Sequence, residues 1–238
     1  MPNIGQENLG GGIVVCTDLN HKIGTDAFLL SAFASPKRIE TTCDLGCGCG
    51  IISLLWFAGD SPPKLSYGLE IQPGAAALAR RSAECSNISK KFIAVHGDLR
   101  ELPECVPRAK FDLVTCNPPY NIVGSGVMST QDSAQIARHE TTCTIDDVCA
   151  AAAKLLRFGG RLCICHLPER LPDLLEAMRA HRIEPKRLQL VHKNSQSSPW
   201  LVLIEGKLGS KPFLKVEPAI FLHENGAPAG YGSEAKKS

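Results

Sequence analysis

The stretch with the most definite chemistry is Phe111-Asp112-Leu113-Val114-Thr115-Cys116-Asn117-Pro118-Pro119-Tyr120. Its first six residues have the length and apolar content of a strand. Two prolines then end it at Asn117, because proline supplies no N–H and cannot continue a central ladder. The residue before a proline is also pushed toward extended backbone, which narrows the directions Asn117 can take. The corner so formed offers a side-chain amide, carbonyls released from sheet pairing, and the Tyr120 ring. It suits an amino group on a planar base or a carboxamide, whose lone pair is delocalised and therefore poorly nucleophilic. Asn117 Oδ1 and the Pro118 carbonyl can accept both amino hydrogens and favour a pyramidal nitrogen, while Tyr120 stacks on the planar group. Asn117, Pro118, Pro119 and Tyr120 are thus the candidate catalytic set, although Asn-Pro and Pro-Pro also occur as plain turns.

What lies upstream weighs against a plain turn. Thr41 to Leu45 reads as a short strand, followed at once by Gly46-Cys47-Gly48-Cys49-Gly50 and then by the apolar, helix-like run Ile51 to Ala58. Glycines at alternate positions let the chain turn sharply and let a ligand approach without a Cβ in the way. The spacing differs from the dinucleotide pattern, so a pyrophosphate on the helix N-terminus is not what it favours. S-adenosylmethionine fits better: it has no phosphate, and its ammonium group can meet Asp44. Lys64 to Leu69 is a second strand with Glu70 at its end, where a carboxylate can accept both ribose hydroxyls. Phe92 to Val95 is a third, followed by Asp98, which can accept an adenine amino group. Ahead of the loop, Gly24-Thr25-Asp26 opens a helix from Ala27 to Ala34. Thr25 and Asp26 either cap it or line the cofactor pocket. Asn117, at the end of its own strand, borders the same pocket.

Asp44-Leu45-Gly46-Cys47-Gly48-Cys49-Gly50, Glu70, Asp98 and Asn117-Pro118-Pro119-Tyr120 resemble the motif set of class I S-adenosylmethionine-dependent methyltransferases with amino-group targets. Gly24-Thr25-Asp26-Ala27, Ala137-Arg138-His139-Glu140 and Pro185-Lys186-Arg187-Leu188 narrow the resemblance to the bacterial tRNA (adenine-N6)-methyltransferases, over about Leu9 to Gly226. Members of that family methylate an adenine beside the anticodon of a valine tRNA. The resemblance implies an α/β, Rossmann-like, doubly wound sheet of seven strands with an antiparallel C-terminal strand. It implies a tRNA substrate and S-adenosylmethionine as cofactor. It does not say whether Arg138, His139 and Glu140 touch RNA or tie a loop down by ion pairing.

The remaining elements agree with such a sheet. Leu9 to Cys16 reads as a hairpin or extended arm, and Pro73 to Cys85 as a helix. Gly124 to Gln135 is a polar loop suited to a lid. Thr144-Ile145-Asp146-Asp147 is capping-box-like and starts a helix ending near Phe158, with Gly159-Gly160 as its stop. Leu162 to Cys165 is a buried strand, and Leu171 to His181 is amphipathic. Leu188 to His192 and Trp200 to Ile204 form an antiparallel terminal pair. The expected organisation is residues 1–40 as hairpin and first helix on the core, 41–225 as the methyltransferase core, and 226–238 as a flexible tail.

At 238 residues the chain can build a full core, and its formal charge of +2 announces no overall basic field. No stretch has the length of a membrane span, and the N-terminus lacks an apolar segment after a charged start. The eleven cysteines show no framework spacing. Those in apolar runs (Cys116, Cys163, Cys165) read as small core residues of a cytoplasmic protein. The one-residue gaps in Cys47-x-Cys49 and Cys163-x-Cys165 do not suit zinc, and no metal is expected. Arg170, Arg179, Arg182, Lys186, Arg187, Lys193, Lys207, Lys211 and Lys215 make the last third basic, able to contact phosphates or simply solvated. Two other functions compete. A protein glutamine N5-methyltransferase, or another rRNA or DNA amino methyltransferase, shares the Asn-Pro-Pro-Tyr corner. The glutamine enzymes usually carry a helical domain ahead of the glycine loop, where this chain has only a short segment. A non-catalytic RNA-binding subunit of the same fold would have no need to keep Asp44, Glu70 and Asn117.

Overall fold

The computed structural model describes residues 4–19, 23–118, 143–224 and 227–228. The chain begins as an antiparallel hairpin, β1 (Gly5–Gly10) and β2 (Ile13–Thr17), followed by helix α1 (Thr25–Ala34). Strands and helices then alternate: β3 (Thr41–Leu45), α2 (Ile51–Ala58), β4 (Leu65–Glu70), α3 (Pro73–Cys85) and β5 (Phe92–His96). β6 (Phe111–Cys116) precedes α4 (Ile145–Leu155), β7 (Leu156–His166), α5 (Leu171–Ala180), β8 (Ile183–His192) and β9 (Pro199–Leu208).

These strands form one sheet in the order β8-β9-β7-β6-β3-β4-β5. β9 runs antiparallel to both β7 and β8, and the other neighbours are parallel. This is the expected seven-stranded, doubly wound α/β sheet with its antiparallel C-terminal strand. Two further two-residue strands, β10 (Lys215–Val216) and β11 (Ile220–Phe221), pair with the outer edge of β8 and bring the count to nine. The order reverses between β3 and β6: the chain winds outward through β4 and β5, then returns to the other side of β3. A crevice opens at the carboxyl ends of the strands at such a reversal.

Both faces of the central strands are covered, so β3 and β6 are buried along nearly their whole length rather than alternately, the polar Thr42, Asp44 and Thr115 included. Leu113 packs into a core shared with the β1–β2 hairpin, α1, α2 and α3, and Val114 into the opposite one, shared with α4 and α5. All eleven cysteines are free thiols, and Cys116, Cys163 and Cys165 are buried as expected.

α1 departs from expectation at its start. Its N-cap is Gly24, with no side-chain cap, so neither Thr25 nor Asp26 caps it. At its other end the carbonyls of Phe33 and Ala34 accept from Arg187 Nη2 at 2.6 Å and Arg161 Nη1 at 3.1 Å, satisfying groups a helix terminus leaves open. The Arg187 guanidinium also lies 3.9 Å from the Phe33 ring centroid. α4 begins with the expected capping box between Thr144 and Asp147 but ends at Leu155, three residues early. Gly159 and Gly160 are not its stop. They belong to an irregular start of β7, where a Cβ on Gly160 would stand 2.8 Å from the Phe111 carbonyl oxygen.

Candidate active site

The glycine loop hangs from the neighbouring strand: the N–H groups of Gly46 and Cys47 donate to the Leu69 carbonyl at 2.8 and 3.1 Å. Gly46 and Gly48 have φ of 70° and 55°, and a Cβ on either would meet nothing within 4 Å. They keep an open floor at the end of β3. Gly50 differs. It is the N-cap of α2, and a Cβ there would stand 2.7 Å from the Phe92 ring. Its smallness serves helix-on-sheet packing, and its φ of 89° continues the left-handed turns of Gly46 and Gly48.

Two buried carboxylates flank this floor. Glu70 is 5 % exposed; its Oε2 accepts the Gly48 N–H and its Oε1 the Gln72 N–H, each at 2.8 Å. Each oxygen keeps a second lone pair for a ribose hydroxyl. Asp44 is 1 % exposed, and its Oδ1 accepts from Thr115 Oγ1 at 2.7 Å while its Oδ2 has no partner among the described residues. Burial pushes its carboxyl up to about 7, against the pull of the Thr115 hydrogen bond and with some help from the Glu70 charge. A buried oxygen without a donor is costly, and a ligand's ammonium group would supply one. The open floor and the orphaned Asp44 oxygen together fit S-adenosylmethionine.

Asp98 follows β5 as expected, but the Arg100 guanidinium already holds it, at 2.6 Å from Nη2 to Oδ2 and at 3.1 and 3.0 Å from Nε to the two carboxylate oxygens. Those bonds, with that from the Arg100 N–H, hold its carboxyl below the usual range. An adenine amino group would have to share Asp98 with Arg100.

Across the reversal point from the glycine loop stands Asn117, directly after β6. Its Nδ2 donates to Asp26 Oδ2 at 2.9 Å, and its Oδ1 accepts from the Cys165 thiol at 3.1 Å. Asp26 Oδ1 in turn accepts the Ala27 N–H at 3.0 Å. Thr25 is exposed beside it. Cys165, read from sequence only as core, is therefore also a neighbour of the site. Alternation along β7 puts Cys163 on the same face, but that thiol turns to Glu205 Oε2 at 3.6 Å. At the end of β7, burial and the Arg170 charge push His166 down to about 4, so it is neutral near pH 7. Pro119, Tyr120, the Gly124–Gln135 loop and Arg138-His139-Glu140 lie outside the described residues.

The basic C-terminal third is largely committed elsewhere. Arg170, Arg179, Arg187 and Lys215 pair with Asp173, Glu184, Glu205 and Glu217, and Lys186 donates to the Lys211 carbonyl. Arg170 and Lys193 follow the carboxyl ends of β7 and β8; the others lie along the strands or toward their opposite ends. Among the described residues no helix is long and apolar enough to cross a membrane.

Comparison with known proteins accords with this geometry. A methyltransferase-domain family model matches residues 37–204. The tRNA1(Val) (adenine(37)-N6)-methyltransferase of Porphyromonas gingivalis is 32 % identical over 190 residues, covering 77 % of this chain and 73 % of that protein. The enzyme of the same name from Yersinia pestis is 29 % identical over 150 residues, covering 63 % of this chain and 59 % of that one. Among solved structures, a predicted O-methyltransferase from Agrobacterium tumefaciens superposes with a TM-score of 0.67 at 20 % identity, over 84 % of this chain and 89 % of that one. The geranyl diphosphate C-methyltransferase of Streptomyces coelicolor A3(2) gives 0.56 at 13 %, over 76 % and 79 %. These two show the shared fold alone. The chain belongs to the methyltransferase-domain family, as a class I S-adenosylmethionine-dependent methyltransferase related to the tRNA1(Val) (adenine-N6)-methyltransferases.

Proposed function

We propose that the chain transfers a methyl group to the N6 amino group of an adenine in the anticodon loop of a cytoplasmic tRNA. The observation that carries this reading is Asn117: an amide at a proline-terminated strand end, held on both sides, across the reversal point from an open glycine loop. The names of the relatives at 32 % and 29 % identity support the same acceptor. Anticodon-loop bases are already partly splayed, which lowers the cost of bringing one into a pocket.

In this reading Gly46 and Gly48 leave room for the cofactor, Asp44 meets its ammonium group, Glu70 its ribose, and Asp98 its adenine alongside Arg100. The cofactor supplies a methyl group on a positively charged sulfur. Asn117 Oδ1 and the Pro118 carbonyl accept the two amino hydrogens, so the nitrogen lone pair is freed from the ring and aimed in line. As charge develops on that nitrogen, the same two oxygens stabilise it until a proton leaves for water. The sequence assigns Pro119 and Tyr120 to the same catalytic set, with Tyr120 to stack on the base. No side chain forms a covalent bond to the substrate.

The test is incubation with methyl-labelled cofactor and, separately, undermodified tRNA, rRNA and protein extract, followed by nucleoside and amino-acid analysis. Label in N6-methyladenosine from tRNA is expected. Label in glutamine side chains or in rRNA would replace the reading with one of its competitors, and no label in any fraction would favour a non-catalytic subunit. Asn117→Ala is expected to lower turnover by about 10²–10³-fold with cofactor affinity nearly intact. Parallel loss of cofactor binding would remove Asn117 from this role.

A further inference from the structure

An asparagine amide has two ends of nearly the same shape and opposite chemistry. Turned the wrong way, Asn117 would present N–H donors to an amino group and repel it, so a corner built to accept amino hydrogens needs something to fix the orientation. The Asn-Pro-Pro-Tyr sequence does not contain it. Ninety-one positions earlier, in the first turn of α1, Asp26 Oδ2 takes the Nδ2 hydrogen at 2.9 Å. From β7 the Cys165 thiol, a donor, meets the oxygen at 3.1 Å. The carboxylate, which can only accept, selects this orientation, and the thiol donates to the amide oxygen in it.

We propose that Asp26 is the positioning residue for Asn117, with Cys165 as the lesser counterpart on the amide oxygen. Asp26 acts through the amide and not on the cofactor. The proposal rests on the amino-methyltransferase reading above and makes the Gly24-Thr25-Asp26 element a part of the acceptor side of the site.

Gly24 supplies independent support. Its φ of −97° and ψ of 154° are open to any residue, so backbone freedom does not require glycine there. Space does: a Cβ on Gly24 would collide with Asp26 Oδ1, the oxygen that accepts the Ala27 N–H. The glycine leaves the carboxylate room to lie against the helix start and still reach Asn117.

The experiment compares wild type with Asp26→Ala, Asp26→Asn, Asn117→Ala and the Asp26→Ala/Asn117→Ala double variant, measuring kcat and cofactor Kd. Asp26→Ala is expected to lower kcat by about 10- to 100-fold, as for a misplaced reacting group. Its cofactor Kd stays within about twofold of wild type, since the partners lost, the Asn117 amide and the Ala27 N–H, lie on the acceptor side and in the first turn of α1. Asp26→Asn keeps an oxygen for the Nδ2 hydrogen and recovers most of the activity. The double variant is no slower than Asn117→Ala, because one residue works through the other. Cofactor affinity falling in step with kcat, or additive losses in the double variant, would overturn the proposal.

A second readout does not depend on turnover. The side-chain amide signals of Asn117 in ¹⁵N NMR are assigned by their loss in Asn117→Ala. They should shift and exchange faster in Asp26→Ala while staying near wild type in Asp26→Asn. Unmoved signals in Asp26→Ala would sink the proposal even in an active enzyme. Moved signals in a protein that methylates no adenine would uphold it and refute the function instead. If Asp26→Ala does not fold, Gly24→Ala displaces the same carboxylate and is expected to shift the same signals in the same direction.

Discussion

The sheet treats two groups of shielded carboxylates in opposite ways. In one group, Glu205 on β9 is shared by Arg161 at 3.1 Å and Arg187 at 3.0 Å, Arg161 also holds Glu40 ahead of β3 at 2.9 Å, and Arg157 holds Asp112 near the start of β6 at 2.6 Å. The guanidiniums there also close the α1 carbonyls, so each charge is matched and tied into the frame. In the other group, at the crevice, Asp44 and Glu70 are more deeply buried, yet the hydrogen bonds they accept among the described residues come from a hydroxyl and two backbone N–H groups, with no guanidinium or ammonium. Matched charge marks the scaffold. Buried carboxylates without a cation mark the place where a ligand brings one.

The largest effect expected from breaking this pattern is on the matched group. Glu205→Ala leaves two shielded guanidiniums without their common partner and is expected to cost about 3 kcal/mol of stability, read from urea unfolding. Cofactor affinity of the folded fraction should stay within about twofold of wild type, because the network does no work at the crevice. Affinity falling as far as stability would show that the two groups are coupled and that the division is false.

The unmatched group should respond to pH. The Asp44 carboxyl sits at about 7 in the folded chain, above its ordinary value, so the folded state holds that proton more tightly than the unfolded one. Stability contributed by this group is therefore full below about pH 4, falls as pH rises toward 7, and is flat above. Asp44→Asn removes that slope. Relative to wild type it should gain about 2 kcal/mol between pH 5 and pH 8, once relaxation and water penetration are allowed for. The same variant should bind the cofactor about tenfold more weakly at pH 8, having lost the charge that meets the ammonium group. An unchanged pH dependence of unfolding would place the Asp44 carboxylate in a wetter setting than its burial indicates.

Much of this was legible in the sequence because the chemistry sits where strands stop. β3 stops at Gly46, α2 runs between Gly50 and Gly59, α3 starts at Pro73 and β6 stops just before Asn117-Pro118, and Asp44, Glu70 and Asn117 fall at or beside strand ends, where topology turns a local signal into a site. What could not be read is pairing across distance. Nothing in Gly24-Thr25-Asp26 states that its carboxylate reaches Asn117. Nothing in Pro185-Lys186-Arg187-Leu188 states that Arg187 caps α1 and packs on Phe33 rather than facing a phosphate. Gly159-Gly160 misled for a related reason: a helix stop and a backbone squeezed against a neighbouring strand both call for glycine, and only the neighbour distinguishes them. Asp98 read as a ligand group because its strand-end position matched the series, while the Arg100 that holds it lay two residues on.

The smallest expected effect on stability comes from the crevice floor itself. Gly48→Ala places a methyl in a backbone conformation with φ of 55°, which costs an L-residue roughly 1–2 kcal/mol, and that methyl meets no atom within 4 Å. The unfolding midpoint should therefore drop by only a few degrees, in line with the backbone term alone. Binding should suffer far more, because the same methyl stands in the space left for a ligand above the loop. A weakening of cofactor affinity by at least about tenfold, measured by calorimetry, is expected. The disproportion is the informative quantity. If Gly48→Ala bound the cofactor as wild type does, the open side of the loop would not be the cofactor's floor. The orphaned Asp44 oxygen would then need a different cation to explain it.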